Sequence, residues 1–128
     1  MYYVHAMFEI KVSDRFSAAH SLRGYRGDCE RLHGHNYRVE VRVSSPSLNN
    51  MGIAIDFREL KDLLRSVTNQ LDHTYLNDLP GFKDINPSSE NIAKYIYNFM
   101  AKSIAPPVRL LSVEVWETEN SSALYREG

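Results

Sequence analysis

The stretch that decides the organisation of this chain is Cys29-Glu30-Arg31-Leu32-His33-Gly34-His35, followed directly by Asn36-Tyr37-Arg38-Val39-Glu40-Val41-Arg42-Val43. The second part alternates polar and apolar residues, which predicts a half-buried β-strand. His33 and His35 leave the same face of that strand because they are two residues apart. At a rise of about 3.3 Å per residue their Cα atoms are about 6.6 Å apart, which lets two imidazoles converge on one metal ion.

A third histidine is predicted on the neighbouring strand. Between Phe8 and His20 the apolar residues fall on even positions, so the segment reads as one long strand with His20 on its apolar face. Residues 21–32 contain Gly24, Gly27 and Asp28 and predict a loop that joins two antiparallel strands. The three imidazoles then point into one region, provided that no β-bulge reverses the alternation.

The rest of the chain predicts two helices and further strands. We expect a short strand at 52–55, a helix from the Asp56 cap to Leu71, and a loop over 75–85. A second helix begins at Ser88 or Asn86-Pro87 and is stopped by Pro106-Pro107. A strand over 108–117 has Leu111, Val113 and Val115 on one face with Glu117 continuing that side, and a short last strand covers 123–126.

Composition restricts the class of protein. The 128 residues predict a single domain, 1–128, and the net charge of −1 argues against a nucleic-acid or membrane-surface partner. No apolar run approaches the roughly 18 residues of a membrane span, and the first residues lack signal-peptide features. The lone cysteine cannot form an internal disulfide. We therefore expect a cytoplasmic protein.

The three histidines predict a site with an open fourth position, as in catalytic zinc centres, the alternative being ordinary surface or core histidines. Imidazoles also suit copper, nickel or iron. Cys29 is either a small buried residue, a thiolate favoured by nearby arginines, or a fourth ligand that closes the site. The arginines at 23, 26 and 31 form either a solvated loop or a landing site for a phosphate-bearing ligand.

Two acidic positions add candidate chemistry. Asp72 and His73 follow the first helix directly, where His73 either interacts with the helix dipole or takes part with Asp72 in a proton relay. Glu117 lies on an apolar strand face, where an unpaired carboxylate is costly, so it should have a partner or a ligand.

Six motifs follow one another along the chain: Phe16-Ser17-Ala18-Ala19-His20, Cys29 to Tyr37, Asp56-Phe57 with Leu60-Lys61, Leu71-Asp72-His73 with Leu76-Asn77, Asn86 to Ala93, and Glu117-Thr118 with Tyr125. In this order they resemble the 6-pyruvoyltetrahydropterin synthase and 6-carboxytetrahydropterin synthase family. The three residues between Cys29 and His33 resemble the carboxytetrahydropterin branch. Ser88-Ser89-Glu90 departs from the family's usual Thr-Ala-Glu, and Ile53-Ala54 from its usual Met-Val.

The resemblance implies an α+β tunnelling fold: a four-stranded antiparallel sheet with two helices on one side, three subunits closing a barrel and two trimers forming a homohexamer. It implies zinc bound by His20, His33 and His35 and a thiolate base at Cys29. It also implies a proton relay of Asp72 and His73 and a pterin anchor at Glu117, with Glu90 near the substrate.

The resemblance further implies a lyase, acting on carbon–oxygen or carbon–carbon bonds. The expected reaction converts 7,8-dihydroneopterin triphosphate to 6-carboxy-5,6,7,8-tetrahydropterin, with release of acetaldehyde and triphosphate, in queuosine or 7-deazaguanine biosynthesis. One alternative is elimination of triphosphate to 6-pyruvoyltetrahydropterin. Another is a non-catalytic module that binds zinc or a pterin.

Overall fold

The structure, a computed structural model, describes residues 6–24 and 31–128. In those ranges the chain forms five strands, two α-helices and two short 3-10 turns at Leu76–Asp78 and Pro80–Phe82. No helix in the described ranges is long and apolar enough to cross a membrane. The elements are β1 (Phe8–His20), β2 (His33–Ser45), α1 (Phe57–Leu71), β3 (Thr74–Tyr75), α2 (Ser89–Ala101), β4 (Arg109–Thr118) and β5 (Ser121–Tyr125).

All five strands form one sheet, in the order β3-β1-β2-β4-β5. The pairs β1–β2, β2–β4 and β4–β5 are antiparallel, which confirms the predicted four-stranded antiparallel sheet. The fifth strand was not predicted: β3 is two residues long and pairs in parallel with Ala18 and Ala19 of β1. A segment this short carries no period from which a strand can be predicted.

Two predicted elements differ from those observed. Residues 52–55 form a turn instead of a strand, because Asn49 accepts hydrogen bonds from the backbone N–H groups of Met51 (2.9 Å) and Ile53 (3.1 Å) through its side chain. Gly52 supplies a positive φ of 78° at that turn. Helix α2 ends at Ala101, before Pro106-Pro107, and the Ser103 N–H donates to the Met100 carbonyl (3.0 Å) in a tightened last turn.

A bulge in β4 corrects the predicted orientation of Leu111. Arg42 pairs with Ser112 whereas Val43 pairs with Leu110, so Leu111 is the extra residue. Leu110 is therefore buried and Leu111 is only half-buried. The alternation of β4 reverses at this point, as a bulge requires.

Both helices cover the same face of the sheet. Leu60, Leu64, Val67 and Leu71 of α1 and five residues of α2 join the inward residues of β1, β2 and β4 in one core. Asp14 of β1 ties α1 to the sheet, since it accepts a hydrogen bond from the Thr68 hydroxyl (2.6 Å). From Ile10 to His20 the even positions of β1 face the core, as the sequence predicts, whereas Phe8 at the start of the strand is 45% exposed.

We expect Leu64→Ala to lower the free energy of unfolding by about 2–5 kcal/mol, because the Leu64 side chain is fully buried and its removal leaves a cavity. Urea denaturation measures the change. The matched control is Lys61→Ala, at an exposed position of the same helix, which should stay within about 0.5 kcal/mol of the parent. Equal losses for the two variants would contradict this packing.

Candidate metal centre

The ends of β1 and β2 bring three imidazoles together. His20 ends β1 and pairs directly with His33, which begins β2, while His35 pairs with Ala18. The ring centroids are 4.5 Å apart for His20 and His33, 5.1 Å for His20 and His35, and 4.8 Å for His33 and His35. No bulge interrupts this part of the β1–β2 ladder, so the alternation predicted from the sequence holds up to the site.

Backbone carbonyls orient two of the rings. His20 Nδ1 donates to the Pro87 carbonyl and His33 Nδ1 donates to the Arg31 carbonyl, each at 2.7 Å. A carbonyl oxygen only accepts, so we assign the proton of both neutral rings to Nδ1. The two Nε2 atoms then carry lone pairs and face each other at 3.0 Å. A cation between them removes the repulsion of these lone pairs.

Glu117 supplies a carboxylate to the same cluster. Its Oε1 lies 3.3 Å from His20 Nε2 and 3.4 Å from His35 Nε2. The β4–β5 register shifts between Trp116 and Thr118, so Glu117 occupies an irregularity of the kind that re-aims a side chain. One ligand atom from each of the four residues lies within 4.8 Å of the other three.

These residues fit a transition-metal ion. His35 Nε2 is buried and has no hydrogen-bond partner, because the approach of Glu117 lacks hydrogen-bond geometry. A buried ring nitrogen without a partner is costly, and a metal ion would satisfy it. Three imidazoles and a carboxylate are donors that zinc accepts, as do other first-row metals. The Nδ1–H groups of His20 and His33 donate to backbone carbonyls, and a hydrogen bond of this kind usually orients a metal-binding histidine.

The electrostatics keep the cluster ready for a cation. Burial lowers the pKa of His35, the nearby His20 and His33 lower it further, and Glu117 opposes them, so its imidazole is neutral at pH 7. Burial and the Glu117 charge raise the pKa of Tyr37, which stays protonated. The Tyr37 hydroxyl lies 3.2 Å from His20 Nδ1, behind the ligand face of that ring.

Asp72 and His73 form a separate pair beside the cluster. The Asp72 carboxylate accepts hydrogen bonds from the Ser17 N–H and from His73 Nδ1, both at 2.8 Å. The Ser17 N–H, and next the His73 side chain, lower the pKa of Asp72. His73 has a positive φ of 55°, uncommon for a residue with a side chain, and its side chain is 83% exposed. His73 and His35 line a common cavity of about 470 Å³.

The remaining site candidates are distributed as follows. Glu90 is exposed and lines a cavity of about 430 Å³ together with Glu117. Cys29 and Arg26 lie outside the described residues. The Arg23 guanidinium already donates to the carbonyls of Ile85 (3.1 Å) and Asn77 (3.2 Å), so it is not an unpaired cation available to a phosphate.

Sequence reasoning missed the residues that support the cluster. From the sequence alone, Tyr37 is only one residue in the alternation of its strand, and Pro87 is only part of a helix start. Asn77 and Asn86 were noted within motifs, without a structural task. The usable signal was the presence of asparagines in a loop, since their side-chain amides readily bond to backbone groups.

The fold and cluster define a small α+β protein that can hold a metal ion between three histidines at two strand ends and one carboxylate. Residues 9–128 match the family model described as 6-pyruvoyl tetrahydropterin synthase. The chain belongs to this family of pterin synthases.

Individual relatives agree with this assignment. A 6-carboxy-5,6,7,8-tetrahydropterin synthase of Synechocystis is 43% identical over 115 residues, which cover 86% of each chain. A 6-pyruvoyl tetrahydrobiopterin synthase of Dictyostelium discoideum is 34% identical and covers 89% of this chain and 84% of its own. The solved 6-pyruvoyl tetrahydropterin synthase of Caenorhabditis elegans superposes with a TM-score of 0.86 at 26% identity, covering 99% of this chain and all of that one.

We expect His73→Ala to raise the pKa of Asp72 part of the way toward its ordinary value of 3.8, because the larger cause, the Ser17 N–H, remains. Since the folded-state pKa is depressed, Asp72 stabilises the fold above the ordinary value and loses this contribution as pH falls through the lower one. A ¹³C NMR titration of the carboxyl carbon measures the shift.

Asp14 is the internal control for that titration. Burial raises its pKa, but hydrogen bonds from Thr68, the Arg15 N–H and Arg65 outweigh burial and lower it. None of these groups contacts His73, so the Asp14 midpoint should not move. A lower Asp72 midpoint, or an unchanged one, would refute the pairing of Asp72 with His73.

Proposed function

We propose that this protein is a zinc-dependent 6-carboxytetrahydropterin synthase. It converts 7,8-dihydroneopterin triphosphate and one water to 6-carboxy-5,6,7,8-tetrahydropterin, acetaldehyde and triphosphate, as a lyase in the route to queuosine and other 7-deazaguanine nucleosides. The similarity to the Synechocystis protein of that name and the three-residue gap between Cys29 and His33 support this branch.

The observation that carries the proposal is the four-donor cluster next to an exposed acid–base pair. His20, His33 and His35 hold the zinc ion, which supplies Lewis acidity to the side-chain hydroxyls of the substrate when bound. His35 of the cluster and His73 of the Asp72–His73 pair line one cavity, which supports a substrate that binds near both. This juxtaposition favours catalysis over simple metal storage.

The chain's own groups then divide the work. His73 exchanges protons with the substrate, and Asp72 holds the imidazole through Nδ1. Cys29 removes a side-chain proton as a thiolate. Glu117 accepts the two parallel N–H donors of the pterin, and Glu90 lines the same cavity.

We also propose that the site is completed by a second copy of the chain, in a homohexamer of two trimers. The His73 side chain is 83% exposed in the single chain, although an acid–base group works best where water is excluded. The cavities beside the cluster are likewise open at the surface of one chain. Sedimentation analysis of the purified protein tests the oligomer directly.

The deciding experiment is product analysis by mass spectrometry after anaerobic incubation of the zinc-loaded protein with 7,8-dihydroneopterin triphosphate. We expect 6-carboxytetrahydropterin and acetaldehyde. His35→Ala should lose zinc and product together, whereas Asn69→Ala, at an exposed position of α1 that lines neither cavity, should keep both. Cys29→Ala with parental turnover would exclude Cys29 as the base.

Two other outcomes of this experiment have specific support. 6-Pyruvoyltetrahydropterin as the product would move the protein to the sister branch, to which the Dictyostelium relative's name belongs. Unchanged substrate with zinc in place would favour a binding module. The approach of Glu117 to two ligand nitrogens supports that second alternative, because a fourth protein ligand closes a zinc site.

Glu117→Gln separates the two roles of this carboxylate. As a pterin anchor, Glu117 forms charge-assisted hydrogen bonds of about 1.5–3 kcal/mol, so its loss should lower kcat/KM about 10- to 100-fold with full zinc content. The matched control is Glu119→Gln, exposed and two residues further on. Loss of zinc from Glu117→Gln, with Glu119→Gln unaffected, would identify Glu117 as a metal ligand.

A further inference from the structure

The chain that leaves β1 after His20 is held by two asparagine side chains. The Ser21 N–H donates to Asn77 Oδ1 (3.0 Å), and Asn77 Nδ2 donates to the Ser21 carbonyl (2.9 Å). Two residues later the Arg23 N–H donates to Asn86 Oδ1 (2.8 Å), and Asn86 Nδ2 donates to the Arg23 carbonyl (3.0 Å). Each amide thus pairs with both backbone groups of one residue, as a neighbouring strand would.

The second of these pairs stands next to the support of a metal ligand. Asn86 is followed by Pro87, whose carbonyl accepts the Nδ1–H of His20 at 2.7 Å. On the other side of Pro87, Ser88 caps helix α2 and its carbonyl accepts the Ile92 N–H. The position of the Pro87 carbonyl therefore depends on anchors at both neighbours, and Pro87 has no N–H with which to anchor itself.

Asn86 is itself fixed from two directions. Besides its amide pair with Arg23, its carbonyl accepts a hydrogen bond from Asn91 Nδ2 (2.8 Å) on the first turn of α2. The Arg23 guanidinium donates to the carbonyl of Ile85, the residue before Asn86. Asn86 thus links the segment after β1 to the first turn of α2, and the adjacent Pro87 contacts His20 at the end of β1.

We propose that Asn86 is a positioning residue for the metal centre: through its pair with Arg23 it fixes the Pro87 carbonyl, which holds the buried His20 ring with the proton on Nδ1 and an unprotonated Nε2 facing the cluster. This inference rests on the metal site proposed above. It explains why a loop asparagine that touches neither the cluster nor its cavities makes three hydrogen bonds.

Asn86→Ala tests the inference in two measurements on the full-length protein. Competition with a chromophoric chelator gives the zinc dissociation constant, which should rise about tenfold, the usual effect of losing support behind a ligand. In the metal-free protein, ¹⁵N NMR of the histidine rings should show His20 changing from one Nδ1–H tautomer to a mixture. A purely structural role would lower the melting temperature and leave both readings unchanged.

Asn49→Ala is the matched control, because Asn49 also accepts backbone N–H groups in a turn, but beyond the opposite end of β2. Its zinc affinity should stay within about twofold of the parent. If Asn86→Ala does not fold, Asn86→Asp keeps the acceptor for the Arg23 N–H but places a carboxylate oxygen against the Arg23 carbonyl, and should shift both readings in the same direction. Parental zinc affinity and an unchanged His20 tautomer in these variants would overturn the proposal.

The two measurements also separate this inference from the metal site on which it rests. If the parent protein binds no zinc, the proposed metal centre is wrong, and the tautomer of His20 in the metal-free variants still decides whether Asn86 positions the ring. If the parent binds zinc and the variants match it in both readings, only the role of Asn86 is wrong.

Discussion

The antiparallel register of β1 against β2 is the constraint on which the rest of the structure depends. Thirteen residue pairs run from Phe8 and Ser45 to His20 and His33. Because side chains alternate between faces, a slip of one residue would send the inward residues of β2 to the open face. The same alternation that buries Tyr37, Val39 and Val41 therefore places His33 and His35 toward His20. One register of β1 against β2 therefore specifies both the core and the site, and a change of register would disrupt both.

The connection between the two helices covers the edge of β1 that does not pair with β2, through a series of hydrogen bonds along that edge. Asp72 and His73 bond to the backbone of Ser17, β3 pairs with Ala18 and Ala19, and two asparagine amides continue to Ser21 and Arg23. An exposed strand edge is a liability that proteins cover in some way. The same connection also carries the hydrogen-bonded Asp72–His73 pair and the Pro87 carbonyl that accepts the His20 Nδ1–H. One connection thus protects the sheet and equips the site.

Periodic features were predictable from the sequence, and local side-chain chemistry was not. The long alternation of β1 and β2 and the apolar stripe of α1 led to correct strands and a correct helix end at Leu71. The bulge at Leu111 and the turn at 52–55 break or replace a period, so a pattern could not reveal them. The approach of Glu117 to His20 and His35 depends on an irregularity in β4 and β5 that the sequence does not mark.

The candidate site joins two environments that place opposite demands on the fold. The histidine cluster is rigid: His20 is buried, its ring has a fixed carbonyl partner, and the strands beneath it belong to the core. The Asp72–His73 pair lies at a helix end, with a positive φ at His73 and an exposed ring. Metal binding benefits from the first environment, since preorganised ligands lose little freedom on binding. The Asp72–His73 pair is held differently: the Asp72 carboxylate and the His73 N–H both bond to the backbone of Ser17, so the geometry of the pair depends on the edge of β1 and not on core packing.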